Sequence, residues 1–322
     1  MRTTAPPERL QMVDGTLPAP FNVVEFDPTI PNGLIVVGMA GAGKTTLRNA
    51  LVRTWEKFDP QGDVLKVSAS DGFRGVAAMV LAEYGYDAAT EIGASKLPGF
   101  MERARLHLEK FSPDDQAAML GGLYDQPGPA RWLRSVAVNS VVPHVGEDAY
   151  IRPRVNTACA ERIRRVVDNP DLAQLRGRVS LAVVDARSQA ECMEKYEEAG
   201  VRLLGTFILM CPEDIAAQRS HKAATPEQVT LEADRLRRRN VEDRARVLGR
   251  MTLPEDLSAA FTVHEMMAAG NAGVHALLQA GVSLARDHLA GAVIHTDKLL
   301  PEPEEVAVRY MLTGMLAAHQ PQ

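Results

Sequence analysis

Leu34-Ile35-Val36-Val37-Gly38-Met39-Ala40-Gly41-Ala42-Gly43-Lys44-Thr45-Thr46 is the stretch that decides the fold of this chain. Its first four residues are continuously apolar, the pattern of a strand buried on both faces. From Thr46 through Leu47, Arg48, Asn49, Ala50, Leu51 and Val52 the pattern turns helical. Between strand and helix stands Gly-x-x-x-x-Gly-Lys-Thr. Glycines at that spacing let the backbone turn with its N–H groups inward. The helix N-terminus that follows adds positive potential, so the loop suits phosphate oxygens. In such a loop Lys44 reaches the outer phosphates, and the Thr45 hydroxyl completes the coordination of a magnesium ion. The reading predicts a P-loop in which Gly38, Ala40, Gly41, Ala42, Gly43, Lys44, Thr45 and Thr46 hold ATP with Mg2+. The plainer alternative is a glycine-rich turn that only starts a helix.

Working outward, short apolar runs at 34–37, 64–67, 179–184, 203–210 and 292–294 alternate with helical patterns. That rhythm predicts an α/β fold of the P-loop NTPase type, with a five-stranded parallel sheet covered by helices. Residues 1–32 carry Pro6, Pro7, Pro18, Pro20 and turn pairs such as Asp14-Gly15, and read as a partly flexible N-terminal extension ahead of a domain over 33–322. Two intervals interrupt the rhythm. The first, 76–175, holds a helical stretch at 99–111, a Pro/Gly turn at 126–129 and a strand-like run at 135–142. The second, 254–290, is mostly helical and rich in small residues, with Gly270, Gly273 and Gly281. Both read as insertions. The apolar helix of the second is expected to pack on the core or on a second copy in a homo-oligomer.

Composition narrows the function classes. A chain of 322 residues can bury a substantial core. Its formal net charge of -5 gives no global attraction to nucleic acid, although basic residues cluster within 235–250. Cys159, Cys192 and Cys211 lack the spacing of a metal site or a disulfide framework, which suits a reducing cytoplasm. Prolines stand where a signal core would, and no apolar run approaches a membrane span. The expected partners are small molecules, not nucleic acid or a membrane.

Beyond the glycine loop, the order of the remaining motifs resembles bacterial cytidylate kinases, which phosphorylate CMP and dCMP with ATP. The stretch from Val67 to Ala77 is similar to that family's second-strand motif, with Phe73-Arg74 matching its aromatic-Arg pair. Val145-Gly146-Glu147-Asp148, followed by Ile151-Arg152, resembles a turn of its substrate-binding insertion. Leu181 to Arg187 looks like the end of its third strand. Arg239, Asp243 and Arg246 fall in register with its lid motif, and Ala292 to Asp297 with Pro303-Glu304-Glu305-Val306 resembles its last strand and helix. The resemblance spans most of 33–312. It implies an acceptor-binding insertion over 76–175, a helical lid over 212–253, and a further helical insertion at 254–290 that the family lacks.

The residues take roles accordingly. Lys44 and the loop amides hold the donor, while Ser70, Phe73, Arg74, Asp185 and Arg187 serve the acceptor. Guanidinium forks suit a phosphate better than a point charge does. Asp185, ending an apolar strand, would hold magnesium-bound water or orient the acceptor hydroxyl, with helix capping as its alternative. Arg74 and Arg187 also fit surface ion pairs, and Phe73 a core aromatic. At spacings of four and three, Arg239, Asp243 and Arg246 share one helix face and would close over the migrating phosphoryl. A solvated charged helix is the alternative. Ser188 stands where the family has a carboxylate, Ser68-Ala69 where it has Asp-Thr, and Ala173 where it has an arginine. These departures predict an acceptor preference wider than CMP. They also keep open phosphorylation of a non-nucleotide small molecule, or a nucleotide-binding regulator without transferase activity.

Overall fold

The computed structural model describes residues 10–320 except 14, 16, 20, 28, 39–40, 113–114, 117–132, 134, 174, 176, 187–192, 221–224, 249–260, 263–268, 287–292 and 296–300. It opens with β1 (Leu10–Val13) and β2 (Val23–Phe26), which pair antiparallel. Part of the expected N-terminal extension lies among the described residues and packs on the fold. Leu17, Phe21, Val24 and Phe26 are buried in the same core as Leu34 and Val36. Isolated apolar residues among prolines carry no period, so their burial is decided by what they meet. The Phe26 ring centroid lies 5.6 Å from that of Trp55.

The run 34–37 lies within β3 (Asn32–Gly38), every residue of which is buried. Asn32 fixes its start, donating to the Ser180 carbonyl at 3.2 Å and accepting from Arg202 Nε and Nη2 at 3.0 and 2.6 Å. After the glycine loop, α1 (Lys44–Phe58) buries Leu47, Ala50, Leu51, Thr54 and Trp55, the i, i+3, i+4, i+7, i+8 stripe of a core-facing helix. The other strands of this sheet are β4 (Asp63–Ser68), β5 (Val179–Ala186), β6 (Arg202–Met210), β7 (Phe261–Thr262) and β8 (Val293–His295). Their order is β4-β5-β3-β6-β8-β7. The pairings of β3 with β5 and β6, and of β8 with β6 and β7, are parallel. The molecule is therefore a mixed α/β protein with a parallel sheet. Among the described residues the sheet has six strands where five were expected, because Phe261–Thr262 adds a two-residue edge that is too short to leave a pattern.

Two units divide the chain: Met1–Lys66, Gly177–Met193 and Val201–Gln322 form one, and Val67–Arg176 with Glu194–Gly200 the other. The second is helical: α2 (Ala69–Glu83), α3 (Leu97–Glu109), α4 (Val136–Glu147), α5 (Ile151–Asp168), a 3-10 turn at Pro170–Ala173 and most of α6 (Met193–Glu198). It begins earlier than the expected 76, so Ser70, Phe73 and Arg74 belong to it. The strand-like run at 135–142 is instead the start of α4. Its valines suggested a strand, but Ser135 caps the helix by accepting from the Val138 N–H at 3.2 Å, and Ala137, Val138, Val141 and Val145 bury one helical face. The Pro/Gly turn at 126–129 lies outside the described residues.

Completing the sheet unit are α7 (Glu213–Ser220), α8 (Pro226–Leu248), α9 (Asn271–Arg286) and α10 (Pro301–Ala318). Of the two packings expected for the helix in the 254–290 interval, the described residues show the one on the core. The interval carries β7, and α9 buries Leu277 and Leu278 against α10. At this crossing a Cβ on Gly281 would strike the Met311 carbonyl oxygen and lie 3.1 Å from Gly314 Cα. Gly281→Ala is expected to destabilise the protein by about 1–3 kcal/mol, although alanine is the better helix former in isolation. Urea denaturation checks it, and an unchanged midpoint would mean that the helices do not approach this closely. Among the described residues no helix is long and apolar enough to cross a membrane.

Candidate functional site

The loop after β3 is shaped by its glycines. Gly41 and Gly43 have φ of 77° and 89°, values that L side chains rarely adopt. A Cβ on Gly41 would also come within 2.7 Å of Ala216 Cβ on α7, and one on Gly38 within 2.8 Å of the Leu209 carbonyl oxygen on β6. Strand and helix thus press the loop from behind, while Gly41, Thr45 and Thr46 remain exposed in front. Met39 and Ala40 lie outside the described residues.

Gly43 is the N-cap of α1. No side chain caps this end, and no acidic residue stands in the first turn. The orphan N–H groups of a first turn carry positive potential that an anion satisfies, and a carboxylate there would repel one. Lys44 folds back so that Nζ donates to the Gly38 carbonyl at 2.6 Å, spanning the loop from its last turn to its first residue. The ammonium is thereby held over the backbone that would receive phosphate. Gly38, Gly41, Ala42, Gly43, Lys44, Thr45 and Thr46 come together here.

Asp185 is the next-to-last residue of β5 and lies opposite Val36 of β3, so its strand ends beside the glycine loop. The residue is 8% exposed. Its Oδ2 accepts from Arg48 Nη1 at 2.7 Å. Arg48 sits one helical turn beyond Lys44 and on the same face. No reading of the sequence singled it out. The only signal was an i, i+4 relation to Lys44, which many surface arginines share. Thr45 and Asp185 supply oxygen donors only, the set suited to a hard cation such as Mg2+, which takes one or two protein ligands and fills the rest with water and phosphate. The residues present fit that ion.

Three of the expected acceptor residues, Ser70, Phe73 and Arg74, lie in the helical unit. Phe73 and Arg74 are in the second turn of α2, not at a strand end. Arg74 Nη1 donates to the Leu133 carbonyl at 2.8 Å and to Asn139 Oδ1 at 2.6 Å. Phe73 is half-buried beside Gly146, where a Cβ would lie 3.9 Å from its ring. Ser70 Oγ is 2.9 Å from Ser68 Oγ. The turn after Glu147 is a helix cap: Asp148 Oδ1 accepts from the Tyr150 and Ile151 N–H groups at 2.9 and 3.0 Å, and Oδ2 from Arg105. Burial pushes the Asp148 carboxyl up, but Arg105 and those two amides outweigh it and leave it below the usual range. Burial pushes the Cys159 thiol up to about 12, so it offers no thiolate near neutral pH.

The backbone of Arg239, Asp243 and Arg246 runs within α8, and their side chains lie outside the described residues, as do Arg187 and Ser188 entirely. Earlier on α8, Ala233 and Leu236 are buried in the core.

No family model and no curated protein matches this chain. Among solved structures it is similar to TT1252 from Thermus thermophilus, with 18% identity and a TM-score of 0.28 over 68% of this chain and 95% of that one. At that score the match carries no argument about the activity of either protein.

Proposed function

We propose that this chain is a P-loop phosphotransferase that moves the γ-phosphoryl group of ATP to a nucleoside monophosphate. One observation carries the reading. The loop between a fully buried parallel strand and α1 is held by left-handed glycines at 41 and 43, leads into an uncapped helix N-terminus free of acidic residues, and carries Lys44 across it. Positioning and cations over the migrating charge supply most of the acceleration in phosphoryl transfer, and covalent chemistry supplies little.

In this reading the loop amides and Lys44 hold the donor phosphates, Lys44 exchanging the Gly38 carbonyl for phosphate oxygen. An oxygen of the acceptor's phosphate attacks the γ-phosphorus, the bond to the bridging oxygen breaks, and ADP departs with that oxygen's charge. Magnesium would neutralise charge between the β- and γ-phosphates, with Thr45 and Asp185 as its protein oxygens. Arg239 and Arg246 on α8 stabilise the transferring group, and Asp243 orients them. Arg187 meets the acceptor's phosphate.

A second reading keeps the donor and replaces the acceptor with a non-nucleotide alcohol. Arg74's commitment to Leu133 and Asn139 favours it, since that engagement removes one arginine from the acceptor's phosphate. Incubating the protein with ATP and MgCl2 against CMP, dCMP, UMP, AMP and GMP separates the readings. Conversion of at least one, with discrimination weaker than the family's, is expected, because Ser188 and Ala69 replace polar contacts to base and sugar. Turnover confined to other alcohols would favour the second reading. Tight ATP binding without any transfer would make the protein a nucleotide-responsive regulator instead.

A further inference from the structure

The ion pairs made by α1 divide into two kinds. Arg53 and Lys57 both reach Glu305 on α10, and those side chains are 48%, 70% and 30% exposed. Arg48 turns the other way, and its pair with Asp185 is enclosed, at 21% and 12%. Arg48 gives the Asp185 carboxylate a charged partner at 2.7 Å. The pairing is nonetheless a poor way to gain stability. It is single, not a two-pronged fork, and Arg48 Nε is buried with no hydrogen-bond partner among the described residues. Desolvation offsets much of the attraction in such a pair, and apolar residues of similar size would pack as well. Its position is what distinguishes it. It links the helix that begins at Lys44 to the end of the strand beside β3, and it commits Oδ2 of Asp185 while leaving Oδ1 outside the pair.

We propose that Arg48 is a positioning residue: by holding Oδ2 it fixes the rotamer of Asp185, so that Oδ1 can serve the hydration shell of Mg2+ when nucleotide is bound. This rests on the P-loop reading above. Arg48 itself touches neither nucleotide nor metal. A carboxylate that serves a metal depends on the partner that orients it, and loss of such a partner typically weakens metal affinity by roughly 10- to 100-fold. The same partner does little for nucleotide alone, which the loop amides and Lys44 hold.

The test is equilibrium binding of ATP by titration calorimetry, once with MgCl2 and once with EDTA, on wild type, Arg48→Met, Arg48→Lys and Asp185→Asn. In Arg48→Met the tightening of ATP by Mg2+ should fall roughly 10- to 100-fold, while binding in EDTA stays near the wild-type value. Arg48→Lys, which keeps a cation near Asp185, should recover a large part. The Arg48→Met, Asp185→Asn double variant should be no worse than the worse single one, since two residues acting through one carboxylate are not additive. If Arg48→Met fails to fold, Arg48→Gln reads the same quantity. A merely structural role would lower thermal stability yet leave the Mg2+ effect intact. An unchanged Mg2+ effect, or equal losses with MgCl2 and EDTA, would overturn the proposal alone. Absence of ATP binding by wild type in both conditions would overturn the P-loop reading and this proposal with it.

Discussion

Lys44→Ala is expected to reduce phosphoryl transfer by roughly 100- to 1000-fold or more, as loss of one preorganised charge-stabilising group does, while the protein remains folded. The local geometry separates the two effects. Nζ makes a hydrogen bond to the Gly38 carbonyl at 2.6 Å at a partly exposed position, so its removal costs about 1 kcal/mol. That corresponds to a shift of only a few degrees in Tm for a protein of this size. The loop keeps its shape without the lysine, because Gly41 and Gly43 set the backbone and Ala216 and Leu209 pack behind it. ATP should bind more weakly, but the larger loss should be in turnover, where charge on the migrating group is greatest. Single-turnover transfer and thermal unfolding on the same preparation decide the matter. A variant that retains a tenth of wild-type turnover would remove Lys44, and with it the proposed donor site, from the mechanism. A variant that loses turnover only because it unfolds would show the lysine to be structural.

The largest stability effect is expected at Trp55. Its side chain is fully buried, Nε1 donates to Ser180 Oγ at 2.9 Å, and its ring meets Phe26 at 5.6 Å and Phe58 at 6.2 Å between centroids. One residue thus joins α1, β5 and the N-terminal segment. Trp55→Ala should cost about 3–5 kcal/mol, the range for large aromatic truncations in cores, because the void cannot close without moving a helix or a strand. That is a large share of the 5–15 kcal/mol by which a domain is typically stable. Trp55→Phe keeps most of the ring contact and loses the hydrogen bond, so a smaller cost of about 1–2 kcal/mol is expected. Chemical denaturation followed by a probe in the sheet unit measures both. A Trp55→Ala variant within about 1 kcal/mol of wild type would mean that the N-terminal segment does not pack on α1 as described.

What could be read from the sequence followed from how the physical signal is spread. The apolar runs of β3, β5 and β6 are buried on both faces, so their composition announces them without tertiary information. The loop before Lys44 is equally explicit, because its glycines answer a backbone demand, seen as positive φ at 41 and 43. The burial of Phe21 and Phe26 was hidden, since it depends on Trp55 and its neighbours and leaves no period of its own. At 135–142 a run of valines pointed to a strand, and a single Ser135 cap with partners on one face tipped it into a helix. In the candidate site, Lys44 was legible from local spacing alone. Arg48 was not, because its meaning comes from Asp185, a residue 137 positions away. Arg74 is a mixed case: a motif match suggested an acceptor ligand, and the pairing of its Nη1 with Leu133 and Asn139 left no sign in the local sequence.

The helical unit interrupts the sheet, and this orders events during synthesis. Asn32 of β3 bonds to Ser180 of β5 across 148 residues of chain. At translation rates of about 5–20 residues per second, β3 therefore waits roughly 7–30 s after leaving the ribosome before that neighbour exists. Closing so long a loop is an entropic debt settled late, and non-local pairing of this kind slows folding. A strand buried at every residue is made early and sheltered late, which places its greatest exposure to wrong partners in the interval when the helical unit is being built.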